Sequence, residues 1–445
     1  MYSYIVVDLG FGDAGKGLLT DYLVRRYNAG LVIRYNGGAQ AGHNVVAPDG
    51  RHHTFAQFGS GTFVPGVKTI LSADVVVHPG ALLVEGDILA GKGIRDVFSR
   101  LRISDGALII SPFHQAANRV REIARGKGRH GSCGVGVGAA YEDSLDPSRE
   151  SIRAGDLRNP PVLKKKLKRI REFHRMTLDD FCRQSGRNFM DTPDWSLFDD
   201  DSVIDRWISS ISRITDYDLV WPEEKICEWL RAENVVIFEG AQGMLLDAEA
   251  GFHPYTTWSD CSPKNALDMI LNVMPDSEIF TYGVLRSHMV RHGNGPLPTE
   301  TSELDGSVSD HNHKNEWQGP VRYGWFDAML ARYALRMAGQ IDALAVTHMD
   351  CAAKSGMWTF CDRYEDSLYP GGFIASLPDI RRLPEDEKEK VTRYLFQVKP
   401  VLDQCEAGES QIISMIETLL HRPVALVSYG QKAADIHEVP EKKAG

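Results

Sequence analysis

No run of about 18 apolar residues occurs in this 445-residue chain, which excludes a helix long and apolar enough to span a membrane. Cysteine is sparse and unpatterned. Its seven copies, at 133, 182, 227, 261, 351, 361 and 405, form no C-x-x-C pair and no zinc-finger spacing with histidine. An odd number without motif spacing fits a reduced protein rather than a disulfide scaffold. Basic residues are not in excess: 50 Lys and Arg face 60 Asp and Glu, a formal net charge of −10. That balance removes any global electrostatic case for nucleic acid. The first residues, Met1-Tyr-Ser-Tyr-Ile-Val-Val-Asp8, hold neither a basic segment nor a long apolar core of a signal peptide. A cytoplasmic protein without membrane or nucleic-acid partners is expected.

Internal repeats, low-complexity tracts and a clean linker between two domains are also missing. What is present, 43% hydrophobic and 25% charged residues, describes a globular protein able to bury a large core. Short runs rich in Val and Ile recur at Tyr4–Leu9, Leu31–Tyr35, Thr69–Val77, Ala107–Ile110, Val235–Phe238, Ile279–Leu285, Ala343–Thr347 and Val424–Ser428. Continuous apolar runs suit strands covered on both faces, as in a parallel sheet. Helical spacing lies between them. Leu163, Leu167, Ile170 and Phe173 share one face, and Lys164–Lys166, Lys168, Arg169 and Arg171 cover the other, the pattern of a solvated helix. The expected fold is α/β, a large mainly parallel sheet flanked by helices. One domain over residues 1–445 is expected, with a helical insertion over about 142–230. Residues 142–160 and 299–320 are polar enough to be long loops.

The first run leads into Gly10-Phe-Gly-Asp-Ala-Gly-Lys-Gly17 and then a helical pattern, Leu18–Arg26. Strand, glycine-rich loop and helix start together present backbone N–H groups and a positive dipole end to phosphate. The loop fits G-x-x-x-x-G-K-[ST] except at its end, where Gly17 replaces the hydroxyl that would hold magnesium. Asp13, inside the loop, is the alternative metal ligand, or a proton acceptor. The second run leads into Asn36-Gly-Gly-Ala-Gln-Ala-Gly-His43. In a parallel sheet the two loops would lie side by side, with His43 near the phosphates.

These loops, in order with Gly131-Ser-Cys-Gly-Val-Gly-Val-Gly-Ala-Ala-Tyr-Glu-Asp143, Phe238-Glu-Gly-Ala-Gln-Gly-Met-Leu-Leu-Asp247, His253-Pro-Tyr-Thr-Thr257, Arg291–Glu300 and Gly324-Trp-Phe-Asp327, resemble the adenylosuccinate synthetase family, whose nucleotide site is P-loop-like. The resemblance implies a homodimeric ligase of small molecules that phosphorylates inosine monophosphate (IMP) at O6 with GTP and magnesium, then lets L-aspartate displace phosphate. It places Asp13 as base, with His43 and Lys16 at the transferring phosphoryl. GTP would be held by Gly12, Gly15, Lys16, Gly17, Gly42, His43, Asp350, Ser428 and Gly430. IMP would meet Asp13, Asn36, Ser132, Arg149, Gln242 and Thr257, with Arg149 delivered to a second subunit. Asp13 and the Gly42 carbonyl would bind magnesium. Thr299 and Arg322, in a substrate loop over 299–323, would meet the amino acid.

Some positions depart from the family pattern. An arginine-rich loop becomes Glu316-Trp-Gln-Gly-Pro-Val-Arg-Tyr-Gly-Trp325, with Arg322 its single arginine. Lys-x-Asp becomes His348-Met-Asp350, and Ser428-Tyr-Gly430 replaces Ser-Thr-Gly-Pro. Phe11-Gly12 and Asp260-Cys-Ser-Pro263 are similar to phage relatives that make 2-aminoadenylosuccinate, yet Asp13 stands where those carry serine. Two alternatives to the IMP–aspartate ligase therefore stay open. One is a paralogue using another amine, another purine nucleotide or ATP; the other is a nucleotide-binding regulator without ligation.

Overall fold

The computed structural model describes residues 1–125, 132–185, 192–306, 319–354, 356–365 and 372–440. Ten strands build its main sheet: β1 (Tyr2–Asp8), β2 (Leu31–Arg34), β3 (Lys68–Leu71), β4 (Leu101–Ser104), β5 (Val220–Trp221), β6 (Val235–Glu239), β7 (Glu278–Arg286), β8 (Ala343–Thr347), β9 (Val424–Ser428) and β10 (Ile436–Glu438). Their spatial order is β10-β9-β8-β7-β1-β6-β2-β3-β4-β5, parallel except for the β9–β10 pair. Along β1 and at Leu9 just after it, Ile5, Val7 and Leu9 enter one apolar cluster while Val6 enters another. Strand alternation with both faces buried is what a continuous apolar run produces.

Strand β1 lies between β6 and β7, and the rest of the sheet extends from them in opposite directions. Loops leaving the carboxyl ends of β1, β2, β6, β7 and β8 therefore converge at a topological switch point. Four helices matter to what they enclose: α1 (Lys16–Tyr27), α2 (Pro112–Arg125), α3 (Val137–Leu145) and α4 (Pro160–Ser185).

Two sequence expectations need correction. Residues 142–160 are not a structureless loop: α3 ends at Leu145, a 3-10 turn spans Ala154–Arg158, and α4 starts at Pro160. The run Thr69–Val77 splits into β3 and the short strand Val76–Val77, which pairs with Leu108–Ile109 outside the main sheet. Helix α4 buries Leu163, Leu167 and Ile170 as expected, with Phe173 half-buried. Its cations meet acids: Lys164 with Asp205, Lys166 with Asp156, Arg169 with Glu150 and Arg171 with Asp201. Of the expected loop 299–320, Ser302–Leu304 forms a 3-10 turn, and 307–318 lie outside the described residues. Part of the altered stretch 316–325, and Gly131 of the third motif, also fall there.

Candidate active site

A cavity of about 1590 Å³ opens over the switch point. Its wall includes Gly12, Asp13, Gly15, Lys16, Gly17, Gly42, His43, Ser132, Gln242, Thr257, Asp350 and Gly430. Twelve positions singled out from the sequence thus meet around one space. Among the described residues six non-glycine residues have positive φ, and three of them, Asp13, Gln242 and His348, line it. Each such residue costs on the order of 1 kcal/mol, and backbone strain of this kind gathers at functional sites.

Close backbone approaches hold the loops in place. At Gly243, a Cβ would sit 2.3 Å from the Gly10 carbonyl and 2.4 Å from the Gly12 nitrogen, so only glycine lets the β6 loop lie on the first loop. Leu245 N–H donates to the same Gly10 carbonyl at 3.0 Å. At Gly17, a Cβ would meet the His43 Cβ at 2.9 Å and the Asn44 carbonyl at 3.1 Å. The eighth loop position is glycine because the hairpin His43–Val46/His52–Phe55 crosses the start of α1 there. The missing hydroxyl and the presence of His43 are one feature.

His43 is 5% exposed in its side chain, and its Nδ1 lies 2.5 Å from Glu239 Oε1. Ser60 completes the carboxylate's shell, its amide donating at 2.9 Å to Oε2 and its hydroxyl to Oε1. The other ring nitrogen, Nε2, has no hydrogen-bond partner among the described residues and lies beside the cavity. Burial, aided by Arg34 and Lys16, lowers the His43 pKa to about 4, with Glu239 opposing. Glu239 is itself held below its ordinary range despite burial, by His43 and Arg34.

Lys16 does not extend into the open space. Its ammonium donates to Asp8 Oδ2 at 2.7 Å, and Asp8 also accepts from the amides of Gly10 at 2.8 Å and Ala14 at 3.0 Å. Arg286 Nε donates to the Asp13 carbonyl at 2.6 Å, and Thr347 Oγ1 to the Ala14 carbonyl at 2.7 Å. Asp8, Glu239 and Arg286 carry no local sequence signal of the partners they meet here. Each is a strand-end residue facing a loop, which only the register of the sheet reveals.

Five expected residues do not line the cavity. Asn36 is buried as a strut, its Oδ1 accepting from Ala241 N–H at 2.7 Å and its Nδ2 donating to the Asp260 carbonyl at 2.7 Å. Ser428 is buried and donates to the Gly430 carbonyl at 2.9 Å. Arg149 lies in a separate outer depression with Phe173, bridged to Glu142, Asp143 and Asp146. Thr299 donates to the Trp325 carbonyl at 2.7 Å. Arg322 is taken up by the carbonyls of Gly293 (3.0 Å) and Gly295 (2.7 Å) and by Glu300 (2.6 Å). Arg291 does line the wall, but its guanidinium serves the carbonyls of Asn294, Pro296 and Tyr255 and covers the Phe11 ring at 4.1 Å.

Asp13 and the Gly42 carbonyl, both at the wall beside the phosphate loop, are hard oxygen donors of the kind magnesium takes. Buried side-chain oxygens of Gln40 and Gln242 in the same wall, without a hydrogen-bond partner among the described residues, keep this region oxygen-rich. Elsewhere, among the described residues, His114, Asp143 and His174 have ligand spacing. The Ser111 amide donates to His114 Nδ1 at 3.0 Å, which puts the proton on Nε2, facing Asp143 at 3.2 Å. With His174 Nε2 at 2.8 Å from the same carboxylate, the three form a buried polar node tying α2, α3 and α4 together.

The adenylosuccinate synthetase family model matches residues 5–437. The adenylosuccinate synthetase of Nitrosomonas eutropha is 32% identical over 438 residues, covering 96% of each chain. That of Neisseria gonorrhoeae is 30% identical over 442 residues with the same coverage. In fold, the chain is similar to fully ligated adenylosuccinate synthetase from Plasmodium falciparum, with a TM-score of 0.76, 20% identity, and 98% and 99% of the two chains covered. It is also similar to the cyanophage S-2L succinoaminodeoxyadenylate synthetase bound to dGMP and dATP, with a TM-score of 0.61, 18% identity, and 99% and 96% covered.

Proposed function

The chain belongs to the adenylosuccinate synthetase family, and we propose that the cavity over Gly10–Gly17 is where it activates IMP. It is a ligase that joins IMP and L-aspartate at the expense of GTP, giving adenylosuccinate, GDP and phosphate. The observation that carries the assignment of residues is the meeting of Asp13, His43 and Gln242 at one wall, two of them in strained backbone.

Asp13 takes the N1 proton of IMP, which raises electron density on O6. That oxygen attacks the γ-phosphorus of GTP, and the bond from phosphorus to the bridging oxygen of GDP breaks. Phosphoryl transfer asks the protein mainly for position and for donors to the moving charge. His43 stands in that place: Nδ1 is anchored on Glu239, so a proton on Nε2 makes an imidazolium that the buried carboxylate balances. The aspartate amine then attacks C6, and phosphate leaves with the former O6.

Magnesium would be held by Asp13 and the Gly42 carbonyl, and when bound it neutralises phosphate charge. Ser132, Gln242 and Thr257 face the monophosphate, and Gly15, Gly17, Asp350 and Gly430 face GTP. Lys16, held by Asp8 through one donor, keeps two further donors for the phosphates. Asn36, Ser428, Thr299 and Arg322 support loops rather than touch substrate.

A homodimer is the expected assembly by resemblance to the family, and Arg149, which does not line this copy's cavity, is the residue that would be offered to a second copy. The cytoplasm fits seven free cysteines.

The test is product mass after incubation with magnesium, GTP, IMP and aspartate. A succinyl adduct is expected from the wild type and none from Asp13→Asn. An Asp13→Asn enzyme that still ligates at the wild-type rate would sink the assigned chemistry.

A further inference from the structure

Trp258 is 44% exposed, yet the indole is firmly seated beside the cavity. Its Cδ1 and Nε1 lie so close to Gly138, in the first turn of α3, that a Cβ there would be 2.8 Å from both. Tyr141, on the same helix, holds its ring 6.3 Å away at 35°. The backbone beneath is pinned from both sides, Thr257 N–H donating to the Leu246 carbonyl at 2.7 Å and Ala248 N–H to that of Ser259 at 3.1 Å. Neither strand nor helix requires a tryptophan here, and burial does not account for one.

Gly138, Tyr141, Thr257 and Trp258 share the wall with Ser132 and Gly136. Phe11, another aromatic of that wall, is already covered by Arg291. Tyr141 and Trp258 thus form a rigid, partly wet aromatic surface at the end of the cavity assigned to the monophosphate substrate. Pockets for nucleotides combine such apolar surface with a few polar groups, and aromatic contact holds the nucleoside while donors hold its phosphate. Indole Nε1–H makes no hydrogen bond among the described residues, so it is available as one such donor.

We propose that Trp258 is a binding and specificity residue for the purine nucleoside monophosphate, its indole and the Tyr141 ring forming the wall against which the nucleoside packs. This rests on the cavity being the IMP site. Losing aromatic contact of this kind weakens binding about tenfold.

Trp258→Ala and Trp258→Phe are compared with wild type by steady-state kinetics and by intrinsic fluorescence during IMP titration. Trp258→Ala is expected to raise the KM for IMP about tenfold, with kcat within about twofold and the KM for GTP unchanged; Trp258→Phe lies between. IMP is expected to change the emission of wild type but not that of Trp258→Phe. An unchanged KM for IMP, an equal rise in the KM for GTP, or an undiminished emission change in Trp258→Phe overturns the proposal. Should Trp258→Ala not fold, the emission of Trp258→Phe decides alone. A wild type that binds IMP yet forms no adduct would refute the ligase assignment instead and leave the binding role standing.

Discussion

His43 gives Nδ1 to Glu239 at 2.5 Å and, among the described residues, keeps Nε2 without a hydrogen-bond partner at the cavity. Burial holds the ring neutral in the free protein, with a pKa of about 4. A polyphosphate arriving beside Nε2 favours the charged form, and Glu239 makes that change affordable. A non-hydrolysable GTP analogue should therefore raise the His43 pKa, read from its ring resonances across pH. Glu239→Gln keeps the shape, removes the balancing charge, and should lower kcat about 10- to 100-fold with little change in either KM. Unchanged kcat in that variant refutes the role of the pair.

The same burial makes the fold sensitive to acid. Folded pKa values of about 4 for His43 and about 3 for His288 lie below the ordinary 6.5, and His348 is shifted the same way. Below pH 6.5 the unfolded chain takes up protons that the folded chain refuses. Stability is thus complete above about 6.5 and falls toward pH 4, by on the order of 3 kcal/mol for His43 alone. Asp327, raised to about 6 by burial, opposes this, since its contribution is lost as pH rises from 3.8 to 6. Asp21, Asp74 and Asp247 are raised by burial in the same way. Five depressed histidines (His78 and His174 are the others), joined by the depressed carboxylates of Glu239 and Asp143, outweigh these carboxyls, so the Tm should drop between pH 6.5 and 4. Among the described residues His288 has neither ring nitrogen hydrogen-bonded, and His288→Leu should shrink that drop. A drop of the same size in both proteins would show that His288 does not contribute.

Restoring the usual hydroxyl of a phosphate loop should harm this protein. Gly17→Ser places a Cβ 2.9 Å from the Cβ of His43 and 3.1 Å from the Asn44 carbonyl, so the hairpin must move. Displacing a catalytic group by a fraction of an ångström costs rate steeply. At least a tenfold loss in kcat is expected, with magnesium dependence unimproved. Wild-type kcat or better would show that His43 has room the packing denies.

Most of the sheet and the two glycine loops were legible because their signals are local: an apolar run, then glycines, then a helix start. What stayed hidden was set by distant partners. Asp8 and Glu239 read as ordinary strand ends, and only packing shows the first holding Lys16 and the second holding His43. Residues 142–160 read as a loop from their acids, proline and arginines. Asp143 is nonetheless buried in α3, because His114 and His174 on two other helices meet its carboxylate. Trp258 carries no signal in the sequence for a similar reason, since its seat on Gly138 joins segments 120 positions apart.

Arg322 tests how far resemblance carries to single residues. By pattern it would grip the amino acid, but its guanidinium is bound to Glu300 at 2.6 Å and to two carbonyls of the turn 293–295. A guanidinium so engaged acts as a strap, and strap partners act together. Arg322→Ala and Glu300→Ala should each lower the Tm, and the double variant should lose less than the sum, with a coupling of about 0.5–1 kcal/mol because both ends are partly exposed. Any rise in the KM for aspartate should be shared by both single variants. If Arg322→Ala alone raised that KM while the Tm stayed level, the arginine would be a substrate ligand and the strap would be incidental.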